Sequence, residues 1–417
     1  MNESRWLSIG GTLMLGLFVA YLDRTNLSVG LPQIARDTGF ARARFAVTSS
    51  WVLTTFLIGY AAANVVGGVA TRGFDPKHGV IACISIWAVA TLAIGLASSV
   101  AVLVTCRLVL GVAEGIYWPQ QSGFAQNWFA PHERTRANGL IQYYGQFLAL
   151  ALGFIALTPI YNAFGWRILF LATGATGLVV IVPLYSIALR PASQAPYRMQ
   201  ATRPYREPLS LRLLGGPAFG LLVFSYVTQG MLFWGITLWL PLVVRSLGFT
   251  GSGQGLATAL PYLLAIMLAI PMAILSDRTG QRVLIAALGL LLPGVVLLLL
   301  PLVDAAYPKL VLITLALGFY ASSYTPNIWT ILQDSVAPSA VGPASGIMNG
   351  LGAGAGGTIA GFLVGLLRSS TGSYTVGFMV LGALVLLGGI SLLLYGRVTR
   401  SRRPAGPALG VPVGRQS

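Results

Sequence analysis

Apolar stretches long enough to cross a bilayer recur along almost the whole chain, at 6–32, 45–70, 79–98, 101–124, 138–162 and 166–189, then at 214–244, 253–275, 283–301, 309–333, 343–367 and 374–395. A helix needs about 20 apolar residues to cross the hydrocarbon core, so each stretch supplies one span. Only 9% of the 417 residues are charged, whereas an ordinary soluble protein carries about 25%. A soluble globular fold is excluded. The expectation is an all-α polytopic membrane protein with twelve transmembrane helices.

The six-plus-six grouping is set by one interval. Residues 190–213 are polar and rich in Pro and Arg, which reads as a linker. The expected units are therefore 1–189, a first six-helix bundle; 190–213, a cytoplasmic linker; 214–395, a second six-helix bundle; and 396–417, a basic, disordered cytoplasmic tail. Sliding the chain on itself by 207 residues aligns 107–145 with 314–352 without a gap, and 11 of the 39 positions are identical. Leu108, Leu110 and Gly111 meet Leu315, Leu317 and Gly318, and Tyr117 and Pro119 meet Tyr324 and Pro326. Two pseudo-symmetric bundles in parallel orientation predict a rocking secondary transporter with its substrate site near the midplane.

The net charge of +16 reports orientation, not nucleic-acid binding. Of the 26 basic residues, seventeen fall on one side of the predicted topology, seven on the other, and Arg24 and Arg107 lie within spans. The positive-inside rule places both termini in the cytoplasm. Cys83 and Cys106 sit in apolar runs without metal-ligand spacing, and His78 and His132 lie in loops, so no metal site or cofactor is expected. The first apolar run lacks an Ala-x-Ala cleavage site and reads as a retained helix.

Ionisable groups inside a membrane are expensive and are functional candidates. Four occur: Asp23 and Arg24 in the first helix, Arg107 and Glu114 in the fourth. Arg107 and Glu114 stand two turns apart, about 10.5 Å along one face, and are expected to line the same cavity without touching. Asp23 and Arg24 project about 100° apart, so each needs a partner elsewhere. Arg24 or Arg107 can hold an anion bidentately. Asp23 and Glu114 can take and release protons, because membrane burial opposes ionisation of a carboxyl group and a nearby arginine favours it. The bland alternative is a static ion-pair network. Against it, the duplicated positions do not repeat the charges, since Arg107 corresponds to Thr314 and Glu114 to Ala321.

Polar and aromatic groups on helices expected to face the centre are Asn26, Tyr60, Gln142, Tyr143, Gln146, Gln229, Trp234, Tyr324, Asn327, Trp329 and Asn349, each also explicable as packing or helix-to-helix hydrogen bonding. Asp334, near the cytoplasmic end of the tenth helix, suits a gate. So do Asp277 and Arg278 in the charged turn Leu275-Ser-Asp-Arg-Thr-Gly-Gln-Arg282, whose first-half counterpart, Ala70 to Lys77, is less regular.

That turn, its partner and the six-plus-six plan resemble the major facilitator superfamily. Within it, Tyr21-Leu-Asp-Arg-Thr-Asn-Leu27 resembles the first-helix signature of the anion:cation symporter family. Arg107-Leu-Val-Leu-Gly-Val-Ala-Glu114, with Pro119, Asn127-Trp-Phe129 and His132-Glu-Arg134, resembles that family's fourth-helix segment and loop. The similarity covers nearly the whole chain and is greatest to galactonate- and hexuronate-type transporters. The resemblance implies anion binding and coupling for Arg24 and Arg107, and proton carriage for Asp23 and Glu114. It further implies pocket positions for Tyr60, which precedes Gly67-Gly68, for Gln146 and for Asn349. Two departures stand out: Thr71 replaces the usual Asp of the first-half loop, and the tenth-helix tryptophan comes one position early, as Trp329.

The combined expectation is an alternating-access symporter that imports a small organic anion, a sugar acid, with protons. Its partners are that anion, protons and the lipid bilayer, without nucleic acid. It sits in a bacterial inner membrane and works as a monomer. Within the site, Asp23 and Glu114 couple protons; Arg24, Arg107, Tyr60, Gln146, Asn349, Asn26, Tyr143 and Trp329 bind substrate; Asp277, Arg278 and Asp334 gate. Three alternatives remain at this point: a proton-coupled exporter of drugs or metabolites, disfavoured by two membrane arginines; a membrane enzyme, which lacks a nucleophile, metal or cofactor constellation; and a non-transporting sensor, for which no soluble domain is attached.

Overall fold

The computed structural model describes residues 5–39, 45–70, 75–130, 137, 139–197, 214, 216–336 and 341–401. Thr71, the loop residues His132 to Arg134, most of the linker and the end of the tail lie outside them, as do the side chains of Pro119, Gln142 and Asp277.

The described residues are almost entirely helical. Ten apolar stretches are long enough to cross a membrane. One of them, Gly139–Gln194, is 56 residues long and doubles back at Gly165, whose φ of +79° a side chain would resist. A further crossing is divided into two shorter helices, Ala306–Ser323 and Thr325–Ser335. The twelve expected crossings are therefore present.

In chain order they are α1 (Trp6–Asp37), α2 (Phe45–Ala70), α3 (Pro76–Gly95), α4 (Val100–Trp128), α5 (139–164), α6 (166–188), α7 (Ala218–Thr237), α8 (Gly251–Thr279), α9 (Arg282–Leu298), α10 (the divided pair), α11 (341–371) and α12 (Tyr374–Ser401).

Local chemistry fixes their ends. Asp75 caps α3 by accepting from the backbone N–H of Lys77 at 2.9 Å, with Pro76 in the first turn. Gly280 closes α8 in the left-handed conformation. At the Gly165 reversal, Trp166 donates its indole N–H to Asp37 at 2.7 Å and its backbone N–H to Gln33 at 3.3 Å, tying the start of α6 to the end of α1.

Helices α1–α6 pack among themselves, and α7–α12 likewise, and the halves meet along α2 with α11 and α5 with α8. Small residues permit that approach. A Cβ at Gly354 would lie 2.5 Å from Ala61 Cα, and one at Gly255 would lie 2.5 Å from the Phe154 carbonyl oxygen. Ser50 meets Gly365 and Thr54 meets Gly361, so the interface is closed at the start of α2 and the end of α11. Tyr262 of α8 stacks on Phe154 of α5 at 5.8 Å. These contacts seal the end remote from the termini.

Several expectations are corrected here. The seventh apolar stretch, read as one span over 214–244, bends after Thr237 and resumes as Leu240–Ser246, because Pro241 has no N–H to continue the helix. The tenth span divides at Tyr324, where Pro326 has the same effect. The linker's first residues are fastened to the first half: Ala192 N–H donates to Asp75 at 3.1 Å, Tyr197 N–H to the Asn127 carbonyl at 3.0 Å, and Arg5 to the Tyr197 hydroxyl at 3.2 Å. The tail from Gly396, read as disordered, stays in α12 through Ser401.

Candidate functional site

The four membrane charges come together inside the first half. Asp23, Arg24, Arg107 and Glu114 are exposed by 1%, 4%, 1% and 1%. Sequence left open which carboxylate meets which arginine, and the structure pairs Arg24 with Glu114. The Arg24 Nε donates to Glu114 Oε2 at 2.8 Å, and Nη2 donates to the same oxygen. Asp23 instead accepts from the Thr91 hydroxyl of α3 at 3.3 Å. Arg107 donates to the Leu53 carbonyl at 3.4 Å. Asp23 and Glu114 both interact electrostatically with Arg107.

The network is only partly satisfied. Asp23 Oδ1, Arg24 Nη1, Glu114 Oε1 and two of the Arg107 nitrogens are buried with no hydrogen-bond partner among the described residues.

Aromatic rings box the Arg24 guanidinium: Tyr21 at 4.1 Å, Phe56 at 4.9 Å, Trp234 at 5.2 Å and Tyr60 at 5.4 Å from ring centroids. Such faces attract a cation through the ring quadrupole. Tyr21 stands one turn before Arg24, and Phe56 one turn before Tyr60, so helical spacing explains three of the four. Trp234 comes from α7, in the other half.

Tyr21, Tyr60 and Trp234 also form one wall of a cavity of about 330 Å³ between the halves. Its other walls include Tyr143, Gln146, Gln229, Phe233, Trp329 and Asn349. Trp118, Gly139, Ile270 and Thr330 extend it toward the helix ends that share a side with the termini. Asn349 bridges the halves, donating to the Tyr60 hydroxyl at 2.9 Å and to Asn64 at 3.1 Å while accepting from Tyr226 at 3.3 Å. Tyr143 donates to the Ala265 carbonyl at 3.0 Å, across the α5–α8 seam.

Of the expected substrate residues, Tyr60, Tyr143, Gln146, Trp329 and Asn349 line the cavity. Arg24 and Arg107 do not: Tyr21, Tyr60 and Trp234 stand between Arg24 and the open space, and the expectation that Arg107 and Glu114 line the cavity is corrected likewise. Asn26 is also displaced from the cavity: it donates to Thr173 at 2.7 Å, joining α1 to α6. The first-half loops that face the expected gate lie outside the described residues. Arg278 is exposed, and Asp334 forms a half-exposed ion pair with Arg282 of its own half at 3.2 Å. The side chain of Asp277 lies outside the description. Thr91 and Phe56 were missed by sequence reasoning, since neither residue type stands out in an apolar run.

Comparison with known proteins places this geometry. The Major Facilitator Superfamily profile matches residues 13–356 and, again, 222–414. A Cupriavidus necator protein described as "Probable sulfoacetate transporter SauU" is 30% identical over 402 residues, covering 92% of each chain. The hexuronate transporter of Bacillus subtilis is 25% identical, covering 97% of this chain and 96% of the relative. The D-galactonate transporter of Escherichia coli is 24% identical, covering 93% and 95%. Among solved structures, a bacterial homolog of the human lysosomal transporter Spinster, inward-facing and unoccupied, has a TM-score of 0.68 at 16% identity, covering 96% of this chain and 98% of that chain. That likeness shows the fold.

Proposed function

The chain belongs to the major facilitator superfamily, and we propose that it imports a small organic anion, a sugar acid, together with protons by alternating access. It is a membrane transporter with organic-anion transporters among its relatives, not an enzyme.

The observation that carries the coupling is the Arg24–Glu114 pair behind the cavity wall. With both carboxylates ionised, the four charges sum to zero and Glu114 occupies Arg24. Protonating Glu114 removes the charge that makes those hydrogen bonds strong. Arg24 is then free to take a carboxylate or sulfonate past Tyr21 and Tyr60. Proton and anion thus enter the site together. When the proton leaves, Glu114 recaptures Arg24 and displaces the anion. Asp23, which accepts from the Thr91 hydroxyl, is the second carboxylate that carries a proton. Arg107 offsets both carboxylates and favours the charged state that ends each cycle.

The relatives' printed substrates have different bodies, sulfoacetate, hexuronate and galactonate, and share an anionic end. The cavity's polar groups that meet a sugar acid's hydroxyls are Gln146, Gln229 and Asn349. The cavity lies within one chain, which supports a monomer as the transporting unit. The basic bias of one side supports cytoplasmic termini in a bacterial inner membrane.

The test is uptake into vesicles after a thermal-shift screen of sugar acids, sulfonates, aromatic acids, dicarboxylates and organic cations, since a ligand of the folded state raises its stability. Glu114→Gln and Asp23→Asn are expected to abolish proton-driven accumulation while sparing counterflow. Equal loss of both activities returns the charges to a static network. Stabilisation by organic cations alone replaces import with export.

A further inference from the structure

All four membrane charges belong to the first half, yet alternating access is a movement of one half against the other. Some group of the second half must register the charge state. Among the described residues, Trp234 touches it: three of the four rings around Arg24 come from α1 and α2, and the fourth, at 5.2 Å, is the indole of α7.

That indole is 3% exposed and firmly placed. It lies edge-on to Phe56 of the first half at 6.2 Å and to Phe233 at 5.0 Å. Its position depends on Gly357 of α11, where a Cβ would stand 2.6 Å from the indole Cδ1. A bulky ring is therefore seated where α7, α11, α2 and the Arg24 side chain converge. The charged and titratable groups around that point are Asp23, Arg24, Arg107, Glu114, Tyr21 and Tyr60, with Tyr117 of α4, Tyr226 of α7 and Tyr320 of α10 next to them.

We infer that Trp234 is the positioning residue through which the second half reads the partner of Arg24. This rests on the reading of Glu114 as the proton switch. While Glu114 holds the guanidinium inside the aromatic box, the indole is drawn against it, and the attraction is strongest in a site without water. The observed arrangement of the halves, sealed at Ser50 and Gly365, is then favoured. When Glu114 is neutral, Arg24 turns away, the indole loses its cation and the sealed arrangement loses that support. Charge state and rocking are thus biased by one shared contact, which is what a coupled two-state element requires.

The test needs no substrate. Ser50 is buried at the sealed end, so Ser50→Cys reports its opening through the alkylation rate by a membrane-impermeant maleimide, read at that peptide by mass spectrometry. Glu114→Gln is expected to raise the rate at least about fivefold when Trp234 is present and less than about twofold in Trp234→Leu, while Trp234→Phe keeps at least half of the effect. If Trp234→Leu does not fold, Trp234→Met carries the same comparison, having volume without a π face. An equal rise with and without the indole overturns the inference and leaves the proton switch standing. No rise in either background overturns the proton switch, and this inference with it.

Discussion

The fourth and tenth helices are copies of one another that have been put to different uses. Both keep Tyr-x-Pro and a glycine at the matching position, and both seat that glycine against the helix two before it: Gly111 on Phe56 of α2, Gly318 on Leu264 of α8. Both tyrosines pair their hydroxyl with another buried hydroxyl, Tyr117 with Tyr185 at 2.6 Å and Tyr324 with Ser225 at 3.0 Å. The Arg107 and Glu114 charges of α4, however, have no counterpart on α10, whose matched residues are Thr314 and Ala321. The tenth helix faces the cavity with Tyr320, Tyr324 and Trp329, while α4 keeps Arg107 and Glu114 buried outside the cavity lining. The comparison separates scaffold from chemistry: what recurs in both copies is packing, and what differs is a candidate for function.

Exchanging matched positions tests that separation. The largest contrast is expected between Arg107→Ala and Thr314→Val. The first removes the charge that offsets Asp23 and Glu114, a loss of about 3 kcal/mol of stability, and is expected to abolish anion uptake. The second only removes a hydroxyl that has no partner among the described residues, so uptake should stay within about twofold. Comparable losses from both would erase the functional asymmetry.

Next come the glycines. A Cβ at Gly111 would stand 2.0 Å from the Phe56 carbonyl oxygen, and one at Gly318 would stand 2.8 Å from Leu264 Cδ2 and 2.9 Å from its Cβ and Cγ. The Gly111 clash is the deeper and falls on backbone. Gly111→Ala should therefore lose about 3 kcal/mol of stability and Gly318→Ala about 1 kcal/mol, measured by thermal or denaturant unfolding in detergent. Helix propensity favours alanine equally at both positions and leaves the difference intact.

The tyrosines should behave alike. Tyr117→Phe leaves the Tyr185 hydroxyl only its 3.4 Å bond to the Leu13 carbonyl, and Tyr324→Phe removes the Ser225 hydroxyl's tyrosine partner, each a loss of about 1 kcal/mol. A much larger effect on transport from either, at unchanged stability, would move that residue from scaffold to chemistry. The smallest effect belongs to Asp334→Asn. Its ion pair with Arg282 has side chains 62% and 39% exposed, and exposed pairs contribute little, so melting and uptake should both be nearly unchanged.

The expected substrate list illustrates where pattern reasoning stops. Tyr60, Gln146 and Asn349, named by resemblance, do line the cavity, and Tyr21 and Phe56 could have been found from one-turn spacing to Arg24 and Tyr60. Asn26 follows the same motif, yet it points to Thr173 and binds two helices together. Helical periodicity gives a direction around one axis. It does not say which neighbour occupies that direction.

The sequence by itself determined the membrane, the number of crossings, the two-half repeat and the four residues that had to be special, because desolvation penalises every charge and every exposed backbone group in lipid and so leaves its mark on composition and spacing. Only the tertiary structure decided that Glu114 takes Arg24 while Asp23 meets Thr91, that Arg24 stands behind an aromatic wall, and that a tryptophan from the other half closes the box. Those outcomes depend on how helices distant in sequence are rotated and brought within hydrogen-bond reach. No local pattern encodes that, since partner choice is a property of packed surfaces.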